Sequence, residues 1–185
     1  MLVQSRVEQT YLSVIKTLSI ASGQFLPQRD MVFAPACGAE VMQVMARLLS
    51  ETQAQPPKLV LDGSASGRAL AADMGKSAHL VVLPGLAGRE DCTVEDLFPA
   101  ADLATQLDRV ERRPERLFAD VVVEGQPFVA QAQAWAQAEG IALPGDWRLQ
   151  LAERIRHKML EAGPARLTDA TRTRWRKFLE RLATD

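Results

Sequence analysis

The stretch Leu59–Leu70, LVLDGSASGRAL, decides how this chain is read. An apolar run, Lys58–Leu61, has the character of a fully buried strand and stops at Asp62-Gly63, a turn pair. Beyond the turn, Ser66–Met74 has the makings of a helix, with Ser64 or Ser66 placed to cap its amino end. A buried strand that feeds a turn and then a helix is the repeating unit of a parallel sheet.

Outward from this unit the same alternation continues. Met1–Val3 is a very short strand, followed by a helix over about 7–21 with Tyr11, Val14, Ile15 and Leu18 at helical spacing. Ser22-Gly23 ends it. Asp30–Ala34 holds a short buried strand, Met31-Val32-Phe33, and Ala39–Ser50 is a second amphipathic helix, stopped before Pro56-Pro57. His79–Leu83 is a further apolar strand, closed by Pro84-Gly85. The expected fold class is α/β, a parallel sheet flanked by helices on both faces and followed by a helical C-terminal region. Helices are expected over 100–112, 127–139, 146–162 and 168–183. Asp120–Val123 reads as a strand or as a loop. The expected division is an α/β domain over 1–110 and a helical extension over 111–185.

Composition limits the function classes. The chain has 185 residues, 47% of them apolar, which fits one medium domain with a real core and excludes wholesale disorder. A net charge of -1 excludes a uniformly basic nucleic-acid binder. The charge is uneven, however. Residues 1–100 carry 8 basic and 10 acidic residues, residues 101–145 carry 4 and 7, and residues 146–185 carry 10 and 6, a net of +4. Aromatics at 5% argue against a base-stacking surface. Cys37 and Cys92 form no CxxC pair, so neither a zinc site nor a disulfide framework is expected. No stretch of the chain is apolar enough to span a membrane, and the first residues lack a signal-peptide core; a cytoplasmic location is expected.

In a doubly wound sheet, ligands meet the chain at the carboxyl ends of the strands. Asp62 stands there directly. Glu95 and Asp96 follow the His79–Leu83 strand after a loop containing Gly85 and Gly88, and Glu8 lies just past the first apolar segment. Carboxylates that converge repel one another unless a cation or proton sits between them. Oxygen donors without histidine suit magnesium. Each position also has a plain structural role open to it: Asp62-Gly63 as a turn, and Glu95-Asp96 as acids opening a helix. The segment Arg166–Lys177 carries Arg172, Arg174, Arg176 and Lys177 around Trp175. It suits either a phosphate backbone or a solvated face with Trp175, Phe178 and Leu182 packed inward. His79 reads as a core or edge residue and His157 as a surface one, and no Ser-His-Asp or Cys-His grouping supports covalent catalysis.

Four stretches together resemble the Toprim domain, in the version found in OLD-family (overcoming lysogenization defect) ATP-dependent endonucleases. LVQSRVEQTYL at Leu2–Leu12 resembles the family's opening VEG element. FAPACGAEVM within Val32–Met42 resembles its second strand and glycine turn. LVLDGSASGRAL resembles its strand–DxDxxG–helix element, and TVEDLFP at Thr93–Pro99 resembles its EDL-P motif. The likeness extends more loosely through Trp135-Ala136 and Trp147–Lys158. It implies a Toprim-like fold and DNA phosphodiester cleavage with one or two Mg²⁺ or Mn²⁺ ions. It also implies metal ligation by Glu8, Asp62, Ser64, Glu95 and Asp96, with Glu8, Asp62 and Glu95 catalytic. Arg148 or Arg154 would supply the positive charge that supports the transition state. Arg172, Arg174, Arg176 and Lys177 would contact DNA.

Departures from the family pattern bear on activity. Gln4 and Ser5 stand where the family has the Glu and Gly of VEG, and Ser64 stands at the second acid of DxD. Two negative charges are thereby missing, and cleavage is expected to be weakened or absent. The chain has no GxxxxGK[ST], so the resemblance implies either an excised or split domain of such a protein or a chain that works with a separate ABC-type ATPase or helicase subunit. The expectations are therefore a metal-dependent endonuclease domain, or a degenerate Toprim module that binds DNA or a partner ATPase; a homo-oligomer is open to either. A small-molecule α/β enzyme has no supporting motif.

Overall fold

Alternation of side chains along short apolar strands sorts them onto two faces of a sheet. The computed structural model, which describes residues 1–53, 55–74, 80–83, 89–110 and 114–183, shows that sorting directly. Four strands pair in parallel: β1 (Leu2–Val3), β2 (Ala34–Pro35), β3 (Leu59–Leu61) and β4 (Leu80–Val82), in the order β2-β1-β3-β4. Leu2 stands opposite Ala34 on one side and Leu59 on the other, and Leu59 stands opposite Leu80.

Val3 and Val60 point to one face, and Leu2, Leu59 and Leu61 to the other. On the second face a small core forms with Met42 of α2 (Ala39–Thr52) and Leu70 of α3 (Ala65–Met74). On the first face lies the main core. It joins α1 (Arg6–Ala21) to α4 (Ala100–Leu107), α5 (Phe128–Ala138), α6 (Trp147–Ala162) and α7 (Asp169–Ala183) in one continuous cluster. The expected mixed α/β fold with helices on both faces and a helical C-terminal region is thus observed. The C-terminal helices pack over the same apolar face as α1, so the core runs unbroken across residue 110.

Aromatic contacts hold this layer. Phe98 lies between Tyr11, at 4.8 Å between ring centroids, and Trp175, at 5.1 Å. The Trp175 indole N–H donates to the Leu97 carbonyl at 2.8 Å, which gives its one polar atom a partner in the core. The expected inward packing of Trp175, Phe178 and Leu182 is correct, since all three are buried.

One strand and one helix end differ from expectation, and one open alternative is decided. The second strand is Ala34–Pro35, not Met31–Phe33: Met31 and Phe33 are buried but Val32 is 61% exposed, so that run is not buried on both sides. Asp120–Val123 is no strand; Val121 and Val122 N–H groups both donate to the Phe118 carbonyl, closing a 3-10 turn. The helix begun at Ala100 ends at Leu107, where the Asp108 carboxylate accepts the N–H groups of Phe118 and Ala119 and turns the chain. His79, Gly85 and Gly88 lie outside the described residues. Among those residues, no helix is long and apolar enough to cross a membrane.

Candidate functional site

The chain leaves β1, passes to one edge to form β2, and then returns across β1 to form β3. The direction of winding therefore switches beside β1, with α1 on one face and α2 and α3 on the other. Open α/β sheets place ligands in the crevice at such a switch, outside the carboxyl ends of the strands. Gln4, Ser5 and Glu8 emerge from β1 into this crevice and Asp62 emerges from β3.

Ser5 caps α1: its hydroxyl accepts the Val7 N–H at 3.1 Å and donates to Glu8 Oε2 at 2.5 Å. Ser-x-x-Glu at a helix start is the capping-box pattern, so residues 5–8 carry a local signal for this helix end. Gln4 completes the contact between the two strands. In the amide orientation that satisfies both ends, its nitrogen donates to Asp62 Oδ1 at 3.0 Å and its oxygen accepts the Gly67 N–H at 3.3 Å. A glutamate at position 4 would set two carboxylates against each other there; the amide turns that repulsion into a hydrogen bond.

Asp62 is 2% exposed and also accepts the Ser64 N–H at 3.0 Å. Ser64 serves the turn: its hydroxyl accepts the Gly67 N–H at 3.1 Å and pairs with Ser66. Both glycines of this turn are needed by packing. A Cβ on Gly63 would sit 2.2 Å from the Glu90 carbonyl oxygen, and one on Gly67 would sit 2.3 Å from the Asp62 carbonyl oxygen. The Asp62 turn is thereby wedged between α3 and the segment entering TVEDLFP.

Thr93–Pro99 is the hub of the molecule. Asp96 closes a capping box with Thr93, accepting its N–H at 2.8 Å, and also accepts the Phe128 N–H at 2.9 Å and pairs with Arg89 at 3.0 Å. Glu95 points the other way. Its side chain is 0% exposed, and Arg148 of α6 holds both of its oxygens, Nε to Oε1 at 2.8 Å and Nη2 to Oε2 at 2.9 Å. A two-pronged guanidinium–carboxylate bond is the strongest neutralisation a side chain can offer a buried acid.

The electrostatics tie these groups into one cluster. Burial pushes the Glu8 carboxyl above its ordinary value; Ser5 opposes the shift, the Asp62 charge adds to it and Arg148 reduces it. Burial alone would lower the Arg148 guanidinium, but the charge and hydrogen bonds of Glu95, with help from Glu8 and Asp62, raise it instead. The Tyr11 phenol is pushed well up, first by burial and then by Glu95, and its hydroxyl has no hydrogen-bond partner. The buried Cys92 thiol is pushed up to about 12, chiefly by burial, which makes it a poor nucleophile.

Of the residues expected at the site, Glu8, Asp62, Glu95 and Arg148 do come together, with Gln4. Ser64 and Asp96 are engaged in the turn and the capping box. Arg154 lies on the exposed side of α6, beside Arg6, Glu153 and His157, and not in the crevice. Among the described residues, no three carboxylate, histidine or cysteine side chains gather as a metal ion would require. Both Glu95 oxygens already hold Arg148, and Asp62 Oδ1 holds Gln4 and Ser64. As arranged, the donors fit a guanidinium and an amide better than two divalent ions.

The expected DNA-contacting residues divide. Arg172 donates to the carbonyls of Leu167 and Pro164, which fastens the start of α7. Arg174 reaches the Asp96 carbonyl at 3.2 Å. Arg176 and Lys177 are exposed, Arg176 lying 3.7 Å from Glu180 one turn on. Compared with family models, curated proteins and solved structures, the chain matches none.

Proposed function

We propose that this chain is a Toprim-like module of the OLD endonuclease type that binds DNA and does not cleave it. The observation that carries the reading is the grip of Arg148 on both oxygens of Glu95, at 2.8 and 2.9 Å, inside the crevice. A fixed guanidinium there supplies one positive charge against Glu95 and occupies one lone pair on each of its oxygens. Gln4 works in the same direction by donating to Asp62. The remaining groups are closed off: Gln4, Glu8, Asp62 and Glu95 are all buried, so a phosphodiester has no path to them. Binding falls instead to the basic C-terminal segment, where Arg176 and Lys177 are exposed on α7. Contacts of this kind read backbone charge without base sequence and weaken as salt rises.

A second reading is a magnesium-dependent endonuclease. It is supported by the meeting of Glu8, Asp62, Glu95 and Arg148 in one crevice at the switch of the sheet. One experiment separates the two. Duplex DNA is titrated by fluorescence anisotropy, and supercoiled plasmid is incubated with the protein and Mg²⁺ or Mn²⁺. The binding reading expects salt-sensitive binding, weakened roughly tenfold or more by Arg176→Glu/Lys177→Glu, and no nicking. Nicking that Asp62→Ala abolishes establishes the nuclease instead. Absence of DNA binding at low salt overturns the binding reading and leaves a protein partner as the module's target.

A further inference from the structure

We infer that the outer face of α2 is a self-association surface on which a second copy of this chain packs antiparallel. The helix packs inward through Met42, its one fully buried residue, with Met45, Ala46 and Leu49 beside it. It also carries a second apolar stripe. Val41 is 46% exposed, Val44 58% and Leu48 57%. Their spacing of three and then four residues places them along one side of the helix, the seam geometry of paired helices. Isolated exposed apolar residues are ordinary, but three in register on a helix that turns its other side to the core mark a contact surface.

Charges beside the stripe select the occupant. Glu40 and Arg47 are seven residues apart, so they lie on the same flank of the seam, and both are exposed. In a second α2 running parallel, the same flank of each helix lies on opposite sides of the seam, so Glu40 and Arg47 would face the uncharged flank with Met45 and Thr52 and find no charge partner. Running antiparallel about a two-fold axis, Val41 of one copy meets Val44 of the other and Glu40 meets Arg47, each contact occurring twice. Leu48 then covers the partner's exposed Cys37–Gly38 turn. A two-fold interface must complement itself, and this sequence does so in the antiparallel register alone of the two. The surface lies on the side of α2 away from the sheet, and only its amino end nears the acid crevice, where the Gly38 N–H donates to the Gln4 carbonyl at 2.9 Å.

Sedimentation velocity over a range of concentrations tests the inference on the full chain. A concentration-dependent monomer–dimer equilibrium is expected, and Val44→Glu should leave only monomer with the melting temperature unchanged, since Val44 contributes little to the fold. Glu40→Arg alone and Arg47→Glu alone should each weaken association roughly tenfold, because each places like charges together twice. Mixed in equal amounts, those two variants should recover the association as a heterodimer, since every flank pair is then opposite in sign. A monomeric wild-type chain at all concentrations, or a mixture that associates no better than its components, overturns the inference. Recovery on mixing also excludes an unrelated contact that happens to need Val44.

Discussion

Arg148 of α6 and Glu95 of the TVEDLFP segment, 53 residues apart in the chain, are joined by two parallel hydrogen bonds at 2.8 and 2.9 Å. The pair fastens the helical layer to the end of the sheet and neutralises an acid that has no contact with water. Removing one partner of such a pair leaves a buried charge, at a cost of roughly 3–5 kcal/mol. Arg148→Met should therefore lower the melting temperature sharply, while Glu95→Gln/Arg148→Met recovers most of the loss. Thermal unfolding of the two variants checks this. Equal destabilisation of the single and double variants would show that Arg148 acts by packing alone.

Glu8 gives the fold a pH dependence of unusual sign. Its folded-state pKa is raised, chiefly by burial, so the folded chain holds this proton more tightly than the unfolded chain does. Its contribution is fully present below the ordinary glutamate value near 4.5 and is lost as pH rises through the higher folded value. Glu8→Gln removes the ionisation while keeping an acceptor for the Ser5 hydroxyl. The variant should melt higher than the wild type at neutral pH, and the gap should close as pH falls toward 4.5. A gap that widens in acid would contradict the assignment.

Gly67→Ala tests the wedge around Asp62. Its added methyl group meets the Asp62 carbonyl oxygen at 2.3 Å and Oδ1 at 2.8 Å. Forced overpacking of this kind costs about 1–3 kcal/mol. Gly145→Ala, where nothing lies within 4 Å of the new methyl, should stay within about 0.5 kcal/mol of the wild type. Urea denaturation compares the pair.

Tyr11 is fully buried with an unbonded hydroxyl, its ring tilted at 52° against Phe98. An unsatisfied buried hydroxyl costs about 1–3 kcal/mol of desolvation. Tyr11→Phe keeps the ring and removes the hydroxyl, so it should stabilise the chain by about 1 kcal/mol. A loss of stability in the same denaturation experiment would mean that the hydroxyl has a role in the crevice.

Local signals in the sequence carried most of the architecture. LVL before Asp62-Gly63 and the helical spacing of Tyr11, Val14, Ile15 and Leu18 depend on near neighbours, and both elements stand where those neighbours put them. The last three helices match expectation within a residue or so at each end for the same reason. Long-range pairings were not legible. Nothing near Arg148 in the chain announces Glu95, and nothing near Arg174 announces the Asp96 carbonyl 78 residues away. Asp96 is a candidate ligand in the sequence through its place after the His79–Leu83 strand and in the TVEDLFP motif. Two adjacent residues on a 3-10 turn nevertheless point in different directions, and Asp96 turns to Thr93, Phe128 and Arg89. At Gln4 the sequence shows only an uncharged residue in place of an acid; the fold shows its amide bonded to Asp62.

Titration of the chain with Mn²⁺, followed by the electron paramagnetic resonance signal of the free ion, tests most directly the proposal that this crevice binds no metal. The wild-type protein should leave the free signal undiminished. Gln4→Glu/Ser64→Asp, which restores two acids beside Asp62, should bind the ion and melt higher in its presence. Stoichiometric uptake of Mn²⁺ by the wild-type chain, abolished by Asp62→Ala, would contradict the account.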